Sequence, residues 1–145
     1  MASSRPTGSV RFENNNRVVI VTGGSMGIGE AIVSAFAASG ADVIIADVVA
    51  PESNKPPNVS YQRCDTASQK DCDAVVQHAI SSHGAIDVLV NNAGIAIETP
   101  VDADDFESIW DRTLAVLLTA QVQLIRSCLP ELEKSEGGRI INIAS

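Results

Sequence analysis

The stretch Val18-Val-Ile-Val-Thr-Gly-Gly-Ser-Met-Gly-Ile-Gly29 decides the fold: an apolar strand runs straight into a turn with three spaced glycines. Directly after it, Ile28, Ala31, Ile32, Ala35 and Phe36 recur at the i, i+3, i+4, i+7, i+8 spacing of one helix face. Gly40 stands where a helix C′ glycine belongs. A strand, a glycine turn and a helix N-terminus make a phosphate cradle, because the turn's amide N–H groups face the anion and the helix dipole adds positive charge. Gly23 permits the tight turn, Gly27 lets a pyrophosphate approach the backbone, and Gly29 lets helix pack closely on strand. A glycine-rich turn without a ligand is the plain alternative. A second signal weighs against it. Ala41 to Ala46 reads as the next buried strand, and Asp47 closes it eighteen positions after Gly29. A dinucleotide-binding fold needs a carboxylate there to accept from the adenosine ribose hydroxyls.

The spacing Thr22-Gly-x-x-x-Gly-x-Gly29 resembles that of the short-chain dehydrogenase/reductase family, and four further stretches fit that family in order. Cys64-Asp65-Thr66 follows a third strand, where the family Asp lies near the adenine. Asn91-Asn92-Ala93-Gly94 follows a fourth strand and matches a family signature placed beside the inner ribose. Trp110-Asp-Arg-Thr-Leu-Ala-Val116 resembles the start of the family's long central helix. Gly138 to Ser145 resembles the fifth strand, whose terminal Ser is catalytic in the family. The likeness runs from about Arg17 to Ser145. It implies hydride exchange between a secondary alcohol or ketone and a nicotinamide cofactor, with Ser145 positioning the substrate oxygen. Thr22, Gly23, Ser25, Met26, Gly27, Ile28, Gly29, Asp47, Val48, Cys64, Asp65, Thr66 and Asn91 to Gly94 would form the cofactor site. The cofactor should be NAD: Asp47 repels a 2′-phosphate, Val48 follows it, and Met26 stands where NADP-using relatives are often basic.

Composition bounds the rest. The 145 residues leave room for one domain, with 45% apolar and 19% charged residues, ordinary for a globular α/β protein. A formal charge of −8 argues against nucleic acid or an anionic membrane as partner. Cys64, Cys72 and Cys128 lack metal-like spacing and read as free thiols in a reducing, cytoplasmic setting. His78 and His83 are five apart and share no ligand face, so no metal site is expected. No secretory leader opens the chain, and the unbroken apolar runs are too short to cross a bilayer.

Along the chain, residues 1–16 read as a mobile arm and 17–145 as one dinucleotide-binding domain. Strands are expected at 17–22, 41–46, 59–64, 86–90 and 139–144, with helices at 27–39, from a Thr66/Gln69 capping box to Gly84, and over 104–132 from Asp104. Pro51, Pro56 and Pro57 leave little helix between the second and third strands. Alternating elements give an α/β, doubly wound parallel sheet of order 3-2-1-4-5, incomplete on its C-terminal side. The long helix is apolar all round at Leu114 to Leu118, so it needs the sheet and a second body, a further copy of the chain or a C-terminal partner chain.

Two departures from the family stand out. Leu117 falls where an Asn usually holds a relay water through a distorted helix turn, and either a regular or a distorted turn is compatible with leucine. The Tyr-x-x-x-Lys segment that supplies the family's acid/base is also missing. The only tyrosine, Tyr61, belongs to the third strand. Three accounts stay open: a piece of a nicked enzyme, a truncated product, or a chain completed by a second one. A catalytically silent nucleotide-binding or interaction module is the rival from another class.

Overall fold

A computed structural model describes residues 12–52 and 54–144. Five strands form one parallel sheet in the order β3-β2-β1-β4-β5, as the sequence predicts. They are β1 (Val18–Thr22), β2 (Asp42–Asp47), β3 (Val59–Arg63), β4 (Val88–Asn91) and β5 (Arg139–Asn142). The central register is tight: Val18 to Thr22 face Asp42 to Ala46 one for one. Period-two alternation sorts β1 between two layers. Val18 and Ile20 join Ile44, Leu89 and Cys72 in one core cluster; Val19 and Val21 join Val43, Ile45, Val90 and Val33 in the other. Burial on both faces explains why these strands read as unbroken apolar runs.

Helix α1 (Gly27–Ala38) covers one face. The other α-helices are α2 (Gln69–His83), α3 (Phe106–Leu114) and α4 (Ala120–Lys134). The buried side of α1 is Gly29, Val33 and Ala37. The expected stripe is therefore rotated: Ile32 and Phe36 only flank the core, and Ile28 is 69% exposed. Both stripes are apolar, and close contact at Gly29 selects which one turns inward. Helix α2 is capped by Ser68, whose hydroxyl accepts from the Asp71 N–H at 3.3 Å, and not by Thr66, which is buried. Its end is as expected, a left-handed Gly84. Helix α3 begins at Phe106 behind Asp105, so Asp104 lies one residue outside its cap. Cys72, Val75, Val76 and Ala79 form the inner face of α2.

Between α3 and α4, residues Ala115–Thr119 form a π-turn, with the Ala120 N–H reaching the Ala115 carbonyl five residues back. The distorted turn is thus present although the residue within it is Leu117. The whole stretch Phe106–Lys134 has 29 residues and a mean hydropathy of 1.3 in its most apolar window, enough by length and composition to cross a membrane. Its unbroken apolar runs are each short, because scattered polar residues divide them. One side of it, Val116, Ala120, Leu124, Cys128 and Leu132, is buried in the protein. Of the expected arm, the described residues 12–16 are tied down in part: Asn14 donates to the Ser39 carbonyl and hydroxyl at 2.8 and 2.9 Å. Residues 1–11 and Ser145 lie outside the described residues.

Candidate dinucleotide site

Strand order reverses between β1 and β4, and a crevice opens there at the strands' carboxyl ends. The groove holds about 450 Å³. Its floor is the turn after β1. Gly27 adopts φ 57°, and a side chain there would meet nothing within 4 Å, so the turn leaves open space above it. Gly29 is the opposite case: a Cβ would collide with the Gly23 carbonyl and lie 2.6 Å from the Asn92 amide nitrogen. Helix α1 has Met26 at its N-cap and no side-chain cap, and its first intrahelical bond is Glu30 N–H to the Met26 carbonyl. The N–H groups of Gly27, Ile28 and Gly29 therefore start the helix without a helical acceptor. Gly23 and Ser25 are not part of that free set. Their N–H groups donate to the Ala46 carbonyl at 2.8 Å and to Asp47 Oδ2 at 3.0 Å.

Asp47 closes β2 at the groove's edge. Besides Ser25, it accepts from the Val49 N–H at 3.2 Å, and the Ser25 hydroxyl donates to the Val49 carbonyl at 2.5 Å. Asn92 locks the wall opposite, donating from its amide to the Thr22 and Gly23 carbonyls at 3.0 and 3.1 Å. Thr22 Oγ1 accepts from the Asn92 and Ala93 N–H groups, each at 2.9 Å. Asn91 is 2% exposed and braces β4 to β5 through Asn142 at 2.9 Å.

Gly23, Met26, Ile28, Gly29, Asp47, Val48, Cys64, Asp65, Thr66, Asn92, Ala93 and Gly94 line the groove. Thr22, Ser25, Gly27 and Asn91 do not line it: Thr22 and Ser25 support the lining through hydrogen bonds to Asn92, Ala93, Asp47 and Val49, Gly27 shapes the turn, and Asn91 ties β4 to β5. Ala46, Val49, Ile95, Arg112 and Val116 also line it and were not expected. Arg112 is the informative omission. From α3 it makes a two-point contact with Asp65, at 3.2 and 3.1 Å. Its sequence signal was an arginine with no carboxylate three or four residues away on its own helix.

The Asp65 N–H donates to Asp71, and this bond, helped by the Ser68 hydroxyl and Arg63, holds the Asp71 carboxyl below its ordinary range. A hydrogen bond with Cys72 and burial hold the Cys64 thiol far above its usual value, and burial pushes Cys128 up to about 12. All three cysteines are free and buried. Among the described residues no group of His, Cys, Asp or Glu is arranged to hold a metal.

A doubly wound sheet with an uncapped helix start and a strand-end carboxylate in one groove is the arrangement of dinucleotide-binding folds. The sequence profile of short chain dehydrogenases matches residues 17–145, and the chain belongs to that family of oxidoreductases, whose members use NAD or NADP. It is 34% identical over 140 residues to D-beta-hydroxybutyrate dehydrogenase of Cupriavidus necator, covering 90% of this chain and 54% of that one. Among solved structures it resembles the ligand-free aldohexose dehydrogenase of Thermoplasma acidophilum, with a TM-score of 0.83 and 33% identity over 90% of this chain and 50% of that one. An apo short-chain oxidoreductase from Clostridium thermocellum is similar at a TM-score of 0.81 and 39% identity, over 90% and 54% of the two chains. The chain spans about half the length of the relatives it matches.

Proposed function

We propose that this chain binds NAD as the cofactor-holding part of an oxidoreductase that interconverts a secondary alcohol and a ketone. The carrying observation is the open, uncapped start of α1 standing in one groove with the fixed Asp47 carboxylate. The residues fit a dinucleotide. Gly27, Ile28 and Gly29 offer amide donors where a pyrophosphate needs them, and the open side of Gly27 leaves room for it. Asp47 would accept from the adenosine ribose, Asp65 and Thr66 would meet the adenine, and Asn92 to Gly94 the inner ribose. Bound there, the nicotinamide supplies the hydride exchange. Ser145 would position the substrate oxygen, as in the family. A relative at 34% identity is named for a secondary alcohol, hydroxybutyrate, which supports this substrate class.

NAD is favoured over NADP on charge. A 2′-phosphate would approach Asp47 with no free cation lining the groove among the described residues: Arg112 is engaged by Asp65, and Lys55, off the groove, pairs with Glu30 at 2.7 Å. Met26 and Val48, apolar and exposed, flank that position. A close like-charge contact costs several kcal/mol when poorly screened. Titrating the full chain with both cofactors tests the reading: NAD should bind more tightly, and equal or tighter NADP binding refutes it.

The same reading places the protein in the cytoplasm, where buried thiols stay reduced. It also places a second copy, or a C-terminal partner chain, against the exposed apolar side of α3, the π-turn and α4, at Trp110, Leu114, Leu118 and Val122. Nucleic acid and membrane are not among its proposed partners.

A further inference from the structure

Two of the three buried thiols meet beside the groove. Cys64, just after β3, is 1% exposed and lines the groove; Cys72, in the first turn of α2, is wholly buried. Both belong to one core cluster, with seven residues between them in sequence. Their side chains are hydrogen-bonded to one another. The Cys72 thiol also donates to the Thr66 carbonyl at 3.4 Å in a buried contact, and the Cys64 N–H donates to the Asp47 carbonyl at 2.9 Å. The series Cys64–Cys72–Thr66 therefore begins and ends on residues that line the groove. The bond from Cys64 holds the Cys72 thiol below its usual range, whereas burial pushes Cys128 up to about 12. The pair thus gives up a proton before Cys128 does, and the thiolate is the reacting form of cysteine.

We propose that Cys64 and Cys72 are a peroxide-reactive dithiol whose disulfide weakens dinucleotide binding in the groove. The dithiol chemistry stands on the two thiols; its effect on the groove rests on the dinucleotide reading above. Hydrogen peroxide entering the groove meets Cys64. The Cys64 sulfur attacks one peroxide oxygen and the O–O bond breaks. The Cys64 proton, passed through Cys72, leaves with the departing hydroxide as water. The Cys72 sulfur then attacks the Cys64 sulfenic acid, the S–S bond closes, and the Cys72 proton leaves with the hydroxyl as a second water. The two thiols lose two electrons together, and one peroxide becomes two waters. With its proton gone, Cys72 no longer donates to the Thr66 carbonyl, which is left buried and unpaired. The covalent bond also draws the sulfurs closer than their hydrogen bond does, pulling on a wall that Cys64, Asp65 and Thr66 share. A bound dinucleotide would cover Cys64, so binding and oxidation oppose each other. A reversible disulfide of this kind suits a reducing compartment, where disulfides are transient and redox-sensing.

The test treats the full chain with hydrogen peroxide, alkylates the remaining thiols and maps the tryptic peptides by mass. Lys70 separates Cys64 from Cys72, and Arg112 and Arg126 separate both from Cys128, so each pairing has its own mass. The peptides carrying Cys64 and Cys72 should be joined, two hydrogens lighter than their sum, and parted by dithiothreitol. NAD present during the treatment should slow the joining. By calorimetry the joined chain should bind NAD about tenfold more weakly than the reduced chain, the worth of one lost hydrogen bond, and dithiothreitol should restore the affinity. Peroxide should leave the NAD affinity of Cys72→Ser where it was before treatment, while Cys128→Ser should respond as the native chain does. Oxidation of single thiols without the Cys64–Cys72 link overturns the inference. A link that forms while NAD affinity stays fixed overturns the coupling to the groove and leaves the dinucleotide reading intact. A reduced chain that does not bind NAD overturns that reading and the coupling together, and the peptide map still decides the dithiol.

Discussion

At the scale of the residue, Asp47 works in two directions. Its carboxylate accepts from the Ser25 and Val49 N–H groups, which fixes the turn, and it faces the groove with its charge. Removing it should therefore cost NAD affinity about tenfold, as expected for lost charge-assisted bonds, and should narrow the preference over NADP, since the repulsion leaves with the charge. Paired titrations of Asp47→Ala check both effects, and an unchanged NAD-to-NADP ratio would contradict the charge argument. Asp71 carries the pH dependence. Its folded-state pKa is depressed by the Asp65 N–H, so its contribution is complete above the unfolded carboxyl value of about 3.9 and drains away as pH falls through the lower folded value. Asp71→Asn should be less stable than the native chain at neutral pH, with the difference in urea midpoint shrinking below about pH 4. A gap that stays constant into acid would show that geometry alone, without charge, sets this turn.

At the scale of the element, the π-turn over Ala115–Thr119 shows that this distortion does not need a polar residue inside it. The turn is closed by backbone, Ala120 N–H to Ala115 carbonyl, while the Gln121 amide donates to the Leu117 carbonyl at 2.9 Å. Leu117 packs toward Gly94, where an added Cβ would lie 3.3 Å from the leucine methyl, and it is 41% exposed. Leu117→Asn should keep the turn and cost less than about 1 kcal/mol, as partly exposed substitutions do. In an assembly that contains a Tyr-x-x-x-Lys segment it should raise turnover or leave it unchanged. A large fall in rate would show that leucine is fitted to this site. Elements of this kind mark what a sequence can and cannot disclose. Strands β1, β2 and β4 and helix α2 were legible because two-sided burial and a single apolar stripe leave one solution. The rotation of α1 was not, because two apolar stripes compete and a Gly29–Gly23 contact across the turn decides between them. Arg112 was hidden for the same reason: its partner, Asp65, is 47 residues away in sequence and meets it only in the folded groove.

At the scale of the molecule, charge, edge and surface bear on whether these residues act by themselves. Strand β5 pairs with β4 on one side and lies at the end of the sheet, with Ile140, Ile141 and Ile143 each about two-fifths exposed. The outer side of α3, the π-turn and α4 adds Trp110, Leu118, Val122 and Leu129 to the exposed apolar surface. An apolar edge strand beside an apolar helix face is a template for association. A net charge of −8 opposes aggregation between copies but does not cover either surface. The chemistry points the same way. The sole tyrosine, Tyr61, donates to the Asp47 carbonyl at 3.2 Å from β3, and no Tyr-x-x-x-Lys occurs in the 145 residues, so the family's acid/base is not among them. Residues 1–145 expressed alone should therefore be poorly soluble or self-associated, and any soluble fraction should bind NAD without oxidising alcohols. Sedimentation together with an NAD turnover assay over a panel of secondary alcohols measures both. A soluble monomer that turns over NAD would mean that another residue of this chain performs the proton transfer.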